Sequence, residues 1–360
     1  MKTSIGGSIS GQDASAIASL SVPAAAPMRQ NVLDRMSHSR FLRKYLGRPH
    51  LLVKRWIWSH LPAWLTSGRL VRAYGVYLHA LIQSRSTRKQ YVGTFFFRNR
   101  HELELLIRLL DQKCDGSTLD LAVLACSKGA EVYSISYAIR CARPDLKVSL
   151  RAIDIDKDVL NFAEQGVYSL RRDAASGPSS PSSCAQSVDV DANTFRDQGI
   201  SIVERMSSME MEAMFDGEGN QVKVKPRFRE GITWHLGDAG DPDLVNALGL
   251  QDIVVANRFL CHMHSEEAEA CLRNVARLVK PGGYLFVSGV DLGVRSRVAR
   301  ELGWKPVTEL ISEIHEGDPS LRRDWPLEYW GLEPFDQSRS DWKMRYAAVF
   351  QCGRRCEQRL

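Results

Sequence analysis

Four short segments of polar or small residues stand where chemistry could occur, because each follows an apolar run typical of a buried strand. They are Ala125 to Glu131, Asp154 with Ile155, Gly237 to Ala239, and Asn257 with Arg258. Open α/β sheets bind ligands at the carboxyl ends of their strands, near the point where the strand order reverses. Each segment alone is a weak signal, but together the four supply the polar groups that one nucleoside needs.

The first segment combines small residues with a single acid. Ala125, Ser127 and Gly129 would let the backbone pass close to a ligand, and Gly129 permits a tight turn. Glu131 would suit an ammonium group. The segment lacks the Gly-x-Gly-x-x-Gly spacing, so a pyrophosphate cradle is not favoured. An ordinary strand-to-helix turn with an acid near the helix N-terminus is the alternative.

The other three segments offer complementary groups. A carboxylate that ends the second strand, such as Asp154, can accept both hydroxyls of a ribose. An acid after the third strand, such as Asp238 beside Ala239, can meet an adenine edge. Asp154 with Asp156, or His262 with Cys261 and His264, could suggest a metal. Neither group brings a remote further ligand, so no metal site is predicted.

The elements that must position these segments alternate along the chain. Apolar runs of the strand type are Leu119 to Cys126, Val148 to Ile153, Ile232 to Leu236, Ile253 to Ala256 and Tyr284 to Ser288. Helical patterns between them are Glu131 to Ala142, Lys157 to Glu164, Pro242 to Leu248 and Glu266 to Val279. Strands joined by helices form parallel sheets with right-handed crossovers. The predicted fold class is therefore α/β, a Rossmann-like, doubly wound and mostly parallel sheet.

Composition divides the rest of the chain. We expect residues 1–28 to be a disordered tail and residues 29–92 a basic helical segment, with the α/β domain over 93–360. Residues 171–230 interrupt the alternation and are predicted to be a partly flexible insertion, with a short helix over Ile202 to Phe215. The C-terminal tail is expected to complete the sheet near Lys343 to Gln351.

Charge is distributed unevenly along the chain, whose net charge is +6. Residues 29–100 contain fifteen Lys or Arg and one acid, a net charge of +14, which leaves −8 on residues 101–360. Basic residues with Trp56, Trp58 and Trp64 suit an anionic membrane surface or an acidic partner. Docking of these helices on the acidic domain is the alternative. Without Lys/Arg-Gly-aromatic motifs, nucleic acid is an unlikely partner.

Several motifs in order are similar to those of the chemotaxis-receptor methyltransferases, enzymes that form glutamate methyl esters on receptor helices. Thr94 to Arg98 resembles the family's Thr-x-Phe-Phe-Arg, and Ala125 to Ser134 resembles Ala-x-Ser-x-Gly-x-Glu-x-Tyr-Ser. Ala152 to Tyr168 is similar to its Asp-Ile-Asp…Leu…Ala…Gly-x-Tyr segment. Lys280 to Gly283 before a strand is typical of class I methyltransferases. The similarity covers roughly residues 92–290.

This resemblance implies a methyltransferase that uses S-adenosylmethionine (SAM). Glu131 would hold the amino group of SAM and Asp154 its ribose, while Asp238 stands where the family has Asn beside the adenine. The residues expected to contact SAM are Thr94, Arg98, Ala125, Ser127, Gly129, Glu131, Asp154, Ile155, Asp238, Ala239, Asn257 and Arg258.

The acceptor side departs from the family pattern. Asn257-Arg258 inverts the family's Arg-Asn, and His262 replaces a Tyr. Arg98 and His262 are the candidate catalytic residues, Arg98 orienting an acceptor carboxylate and His262 acting as a base for an amine or hydroxyl. Three functions stay open: O-methylation of a carboxylate on a protein or small molecule, methylation of a small molecule or polysaccharide-linked group with His262 as base, and non-catalytic SAM binding.

The expected location is the cytoplasm, with peripheral membrane contact if the basic segment binds lipid. Eight dispersed cysteines without a Cys-x-x-Cys pair indicate reduced thiols. The polar N-terminus lacks the apolar core of a signal peptide, and no apolar stretch reaches the roughly 18 residues of a membrane span.

Overall fold

The computed structural model describes residues 53, 56–58, 60–61, 68–85, 93–170, 201–217, 219–318, 325–326 and 333–353. The chain divides into two compact units, Met1–Pro62 and Ala63–Leu360. The predicted tail 1–28, most of residues 29–67 and the Ser/Pro-rich part of the insertion lie outside the described residues. The boundaries of the predicted domains therefore stay predictions.

Ten strands form two sheets in the second unit. In chain order they are β1 Thr118–Leu124, β2 Lys147–Asp154, β3 Val167–Ser169, β4 Phe215–Asp216, β5 Gln221–Val224, β6 Ile232–Leu236, β7 Gln251–Val255, β8 Val279–Phe286, β9 Lys305–Pro306 and β10 Val349–Gln351. The main sheet has the order β6-β2-β1-β7-β8-β10-β9, and β3, β5 and β4 form a small antiparallel sheet. In the main sheet only β10 pairs antiparallel with its neighbours, β8 and β9.

Helices connect and cover these strands. They are α1 Arg69–Arg85, α2 Arg100–Leu110, α3 Ala130–Ala142, α4 Lys157–Gln165, α5 Ser208–Met214, α6 Leu244–Leu248, α7 Ser265–Ala276, α8 Leu292–Glu301, α9 Ile311–Glu316 and α10 Trp342–Tyr346. The described residues also contain two 3-10 turns, Pro226–Phe228 and Leu260–His262. None of the helices among the described residues is long and apolar enough to cross a membrane.

The C-terminal halves of β1 and β7, residues 121–124 and 253–255, are apolar because both faces of the sheet are buried there. On β1, Leu121 and Val123 join the core beneath α2 and α3, while Ala122 and Leu124 join the core beneath α7 and α8. Successive residues of a strand point to opposite faces, so a strand covered on both sides needs apolar residues at every position. The predicted doubly wound, mostly parallel α/β sheet is confirmed.

The strand order fixes where the polar segments meet. From β1 the chain continues outward to β2 and then β6, whereas β7 and β8 lie on the other side of β1. The order thus reverses between β1 and β7, which pair in parallel. The turn 125–131 after β1 and the pair 257–258 after β7 consequently share one edge of the sheet, next to Asp154 at the end of β2.

Two local predictions require correction. The helix expected over Ile202 to Phe215 begins only at Ser208, because Ser207 caps it, and Phe215 instead pairs with Val224 in the small sheet. The C-terminal strand expected near Lys343 to Gln351 comprises only β10. The preceding residues form α10, since Trp342 and Tyr346, one helical turn apart, both pack on the ring of Phe335.

Candidate functional site

The turn after β1 has an unusual backbone. Ala125 and Ser127 have φ values of 51° and 49°, in the left-handed region that non-glycine residues seldom adopt. Gly129 has a φ of 81°, and a Cβ there would lie 3.0 Å from the Cβ of Ala163 on α4. Glycine at 129 is thus required by the turn and by the close approach of α4. Strain of this kind persists where surrounding structure enforces it, often at ligand sites.

Asp154 joins the ends of β1 and β2. Its Oδ2 accepts a hydrogen bond from the backbone N–H of Ser127 at 2.7 Å, and its Oδ1 accepts one from the N–H of Asp156 at 3.0 Å. The side chain is buried, and Ile155 beside it is exposed. Each carboxylate oxygen has a further lone pair for a ligand donor. The predicted ribose acceptor is therefore oriented by the backbone.

A cleft lies at the sheet edge between α2, α3 and the segment after β7. Its polar lining consists of Arg98, Asn99, Glu102, Glu131 and Asn257 together with Ser134, and its volume is about 20 Å³. The remaining lining is apolar and includes Phe95 and Phe286. Three of the predicted residues, Arg98, Glu131 and Asn257, are thus brought together although they lie far apart in sequence.

Asn257 holds two carboxyl groups with one amide. Its Nδ2 donates to Oε1 of Glu131 at 2.9 Å and to Oε2 of Glu102 at 3.2 Å. Its Oδ1 accepts from the backbone N–H and the hydroxyl of Ser288 at 2.9 and 2.8 Å. Because both ends of the amide are bonded, its orientation is fixed. The Nδ2 group of Asn257 therefore positions the side chains of both Glu131 and Glu102.

Glu102 is a member of the site that the sequence analysis missed. It lies in the first turn of α2, whose N-cap Asn99 accepts a hydrogen bond from the Glu102 N–H at 3.4 Å. The available signal was spacing, since Glu102 follows Arg98 of the Thr94-to-Arg98 motif by one helical turn. An acid in a first helical turn is, however, an ordinary feature of helices.

Burial dominates the electrostatics of the two carboxyl groups. Burial first, and then the nearby charge of Glu131, raise the pKa of Glu102 to about 8, against the lowering effect of Arg258. The pKa of Glu131 is also raised by burial, while the hydrogen bond from Asn257 and the charge of Arg98 lower it. A low-dielectric site penalises the charged form of a carboxyl group. Glu102 is consequently neutral near pH 7 in the free protein.

Arg98 lines the cleft, and the charges of Arg205 and Arg258 act on it; we call Arg98, Arg205 and Arg258 the arginine cluster. Arg258 forms an ion pair with Asp318, and Arg205 donates to the same carboxylate at 3.3 Å. Arg205 also donates to the carbonyl oxygen of Arg98 at 2.8 Å. Burial lowers the pKa of Arg98 to about 10, and the charge of Arg258 adds to this effect. The cluster therefore carries surplus positive charge.

Arg205 and Asp318 have no sequence signal that could have found them. Arg205 comes from the insertion and Asp318 from the segment after α9, and neither belongs to a recognisable motif. The backbone of Arg258 has a φ of 67°. It passes so close to Gly289 that a Cβ at 289 would lie 2.8 Å from Cα of Arg258. Close packing against Gly289 thus fixes the approach of Arg258 to Asp318.

The remaining predicted residues lie outside the cleft lining. Asp238 is exposed after β6, where its Oδ1 accepts the N–H of Gly240 at 2.7 Å, and the adjoining Gly237 N–H donates to the carbonyl of Asp154 at 3.0 Å. Ala239 packs on the core. Thr94 is half-buried, and His262 is half-buried at the end of its 3-10 turn. Their predicted roles stay predictions.

The donor set fits SAM. Glu131 offers a carboxyl group to an ammonium, Asp154 offers oriented acceptors to ribose hydroxyls, and Asp238 lies at the next strand end. Within the part of the chain that the structure describes, no group of three or more His, Cys, Asp or Glu is arranged to hold a metal ion.

Comparison with known families agrees with this geometry. Residues 93–176 match the family described as CheR methyltransferase, SAM binding domain, and residues 193–287 match the family described as methyltransferase domain. The first match contains Arg98, Glu102, Glu131 and Asp154, and the second contains Asn257. The predicted resemblance, the SAM cofactor and the methyltransferase class are confirmed.

Several curated proteins are similar at low identity. A probable biofilm formation methyltransferase of Pseudomonas putida is 25% identical over 62% of this chain and 47% of its own length. A chemotaxis protein methyltransferase of Listeria monocytogenes is 22% identical over 54% of this chain and 63% of its own. A chemotaxis protein methyltransferase of Pseudomonas putida is 24% identical over 55% of this chain and 65% of its own. The chain therefore spans less than two thirds of each relative.

Proposed function

Because this chain is a SAM-dependent methyltransferase with a SAM-binding domain of the chemotaxis type, we propose that it methylates a carboxylate oxygen of a protein or small-molecule acceptor. The observation that carries the proposal is the surplus positive charge of the arginine cluster. Asp318 is the one carboxylate that accepts hydrogen bonds from these guanidinium groups within the described residues. A buried guanidinium such as that of Arg98 gains more from an anionic ligand than from a neutral one.

Different residues would bind the cofactor and orient the acceptor in such a transfer. When bound, SAM would supply the methyl carbon of its sulfonium group: a C–O bond to the acceptor carboxylate would form as the C–S bond breaks, giving a methyl ester and S-adenosylhomocysteine with no proton transferred. Glu131 and Asp154 hold the cofactor at its two ends. Arg98, with Arg258 beside it, orients the acceptor carboxylate. Orientation is the main contribution that a protein makes to an in-line displacement.

A carboxylate acceptor also agrees with the lack of an obvious base in the cleft. It is already ionised near pH 7, whereas an amine or hydroxyl needs a base. The titratable residues that line the cleft are Arg98, Glu102 and Glu131, and Glu131 is assigned to the cofactor. His262 lies outside this lining. Chemotaxis methyltransferases among the relatives favour a protein acceptor.

The acceptor chemistry is tested by labelling a native lysate with tritiated SAM and the purified protein. We expect the label to be released as volatile methanol in mild base, as a methyl ester requires. Label that is stable in base would contradict the carboxylate proposal and favour an amine or hydroxyl acceptor. SAM binding without any transferred label would favour the non-catalytic alternative.

The variant His262→Ala distinguishes a carboxylate acceptor from an amine or hydroxyl acceptor. Under the proposal, His262→Ala keeps most of its activity, and the rate at saturating SAM stays flat across the titration range of histidine. If His262 were the base, the same change would cost roughly 10²–10⁴-fold in rate. His235→Ala, on β6, is the control for a general effect of removing a histidine.

A further inference from the structure

A second carboxyl group shares the cleft with Glu131. Glu102 is only 8% exposed, although it belongs to the first turn of a surface helix. Its side chain lines the same cleft as Glu131 and Asn257. Neither the family motifs nor the sequence pattern assigns it a role, and a structural role would be served by an apolar residue at this depth.

The two carboxyl oxygens of Glu102 differ in their hydrogen bonding. Oε2 accepts the hydrogen bond from Asn257, whereas Oε1 is buried and has no hydrogen-bond partner among the described residues. Buried polar atoms in folded proteins are nearly always paired, since an unpaired one has lost its water without compensation. Because Glu102 lines the cleft, a ligand bound there is the partner that we infer for Oε1.

The geometry of Asn257 selects the kind of ligand. One amide nitrogen contacts Glu131 at 2.9 Å and Glu102 at 3.2 Å, so both carboxyl groups face the same small space. A primary ammonium has three N–H donors and can bond two carboxylates at once. We propose that Glu102 is a second binding residue for the α-ammonium of SAM, which it holds together with Glu131. The proposal rests on SAM binding in this cleft and is independent of the acceptor.

The charges that face Glu102 come from several elements. Glu131 on α3 and Asp318 after α9 disfavour its ionised form, while Arg98 and Arg258 favour it. Arg295 on α8 also interacts electrostatically with Glu102, whose charge raises the pKa of Arg295 against the larger lowering effect of burial. With its pKa raised to about 8, chiefly by burial, Glu102 is neutral at pH 7 before the cofactor binds. A bound ammonium favours the carboxylate, so cofactor binding should release a proton.

The test is calorimetry with S-adenosylhomocysteine, which has the same α-ammonium. Titrations at pH 6, 7 and 8, in buffers of different ionisation enthalpy, give both affinity and protons released. At pH 7 the natural protein should release up to about one more proton per ligand than Glu102→Gln. The ratio of their affinities should rise by up to about tenfold per pH unit between pH 6 and 8. The ligand amine itself titrates near pH 8, but it does so equally with both proteins.

Two controls keep the result interpretable. Glu104→Gln, on the exposed face of the same helix, should leave proton release and affinity unchanged. A deaminated analogue of S-adenosylhomocysteine should bind the natural protein without the additional proton release, which tests the idea even if Glu102→Gln folds poorly. Equal proton release and equal pH profiles in the natural protein and Glu102→Gln would overturn the role of Glu102. Failure of the natural protein to bind the ligand would instead overturn the cofactor site as a whole.

Discussion

Asp154 and Glu131 follow neighbouring strands of the same sheet, yet the structure holds them in different ways. Asp154 has a backbone N–H on each oxygen, at 2.7 and 3.0 Å. Glu131 has the amide of Asn257, which it shares with Glu102, and burial raises the pKa of both glutamates. Among the described residues, the proposed ribose acceptor is therefore oriented by backbone groups. The proposed ammonium site depends on side chains, and a cationic ligand would complete its hydrogen bonds.

The largest expected effect comes from removing the Asp154 carboxylate, the proposed hydrogen-bond acceptor for the ribose. Asp154→Ala should weaken SAM binding by about 1.5–3 kcal/mol, the range for lost hydrogen bonds to a charged group, which is roughly 10- to 150-fold in Kd. Calorimetric titration with SAM measures it. Unchanged affinity in both Asp154→Ala and Glu131→Ala would refute the assignment of the two cofactor ends.

Asp156→Ala is the matched control for that experiment. In the natural protein, Oδ1 of Asp156 caps α4 by accepting hydrogen bonds from the N–H groups of Asp158 at 2.9 Å and Val159 at 3.2 Å. Loss of this cap should cost about 1 kcal/mol of stability and leave SAM affinity close to that of the natural protein. A large loss of affinity in this variant would show that the turn as a whole, rather than the Asp154 carboxylate, binds the ribose.

The ammonium end should also be visible in the pH dependence of stability. The pKa of Glu102 is about 8 in the folded protein and about 4.5 when unfolded. Between these values the folded state binds more protons, so the free energy of unfolding falls as pH rises, by at most about 1.4 kcal/mol per pH unit. Urea unfolding from pH 5 to 8 should show a shallower fall for Glu102→Gln. An identical slope in the two proteins would contradict the raised pKa.

The smallest expected effects concern the basic segment, of which the structure describes mainly α1. Arg72 on α1 donates to the carbonyl oxygens of Pro334 and Phe335 at 2.7 and 2.8 Å and lies 3.9 Å from a carboxylate oxygen of Asp336. Part of this segment therefore docks on its own unit. Binding of the segment to an acidic partner or an anionic membrane stays a proposal.

Co-sedimentation with anionic and neutral vesicles, at low and high salt, tests that proposal. The full chain should pellet with anionic vesicles at low salt only, because salt screens exposed charges beyond about 10 Å at 0.1 M. A chain that begins at Tyr91 should lose this binding and keep its SAM affinity. Equal, negligible pelleting under all conditions would leave docking on the domain as the role of the segment.

The placement of Asp154, Glu131 and Asn257 at one edge of the sheet was predictable because it depends on strand ends. Each follows an apolar run or its turn, and parallel strands bring such positions to one edge. The arginine cluster was less predictable. Arg205 and Asp318 come from the insertion and from the segment after α9, and no pattern in the sequence relates either of them to Arg258.

By itself, the sequence determined the alternation of strands and helices, and with it the doubly wound sheet and the cofactor class. These follow from local periodicity and short motifs, which act over a few residues. Only the tertiary structure decided that Glu102 is buried in the cleft, that one amide of Asn257 holds two carboxyl groups, and that Asp318 joins two arginines. Burial and ion pairing depend on which distant segments pack together, and a raised pKa arises only once that packing removes water from the group.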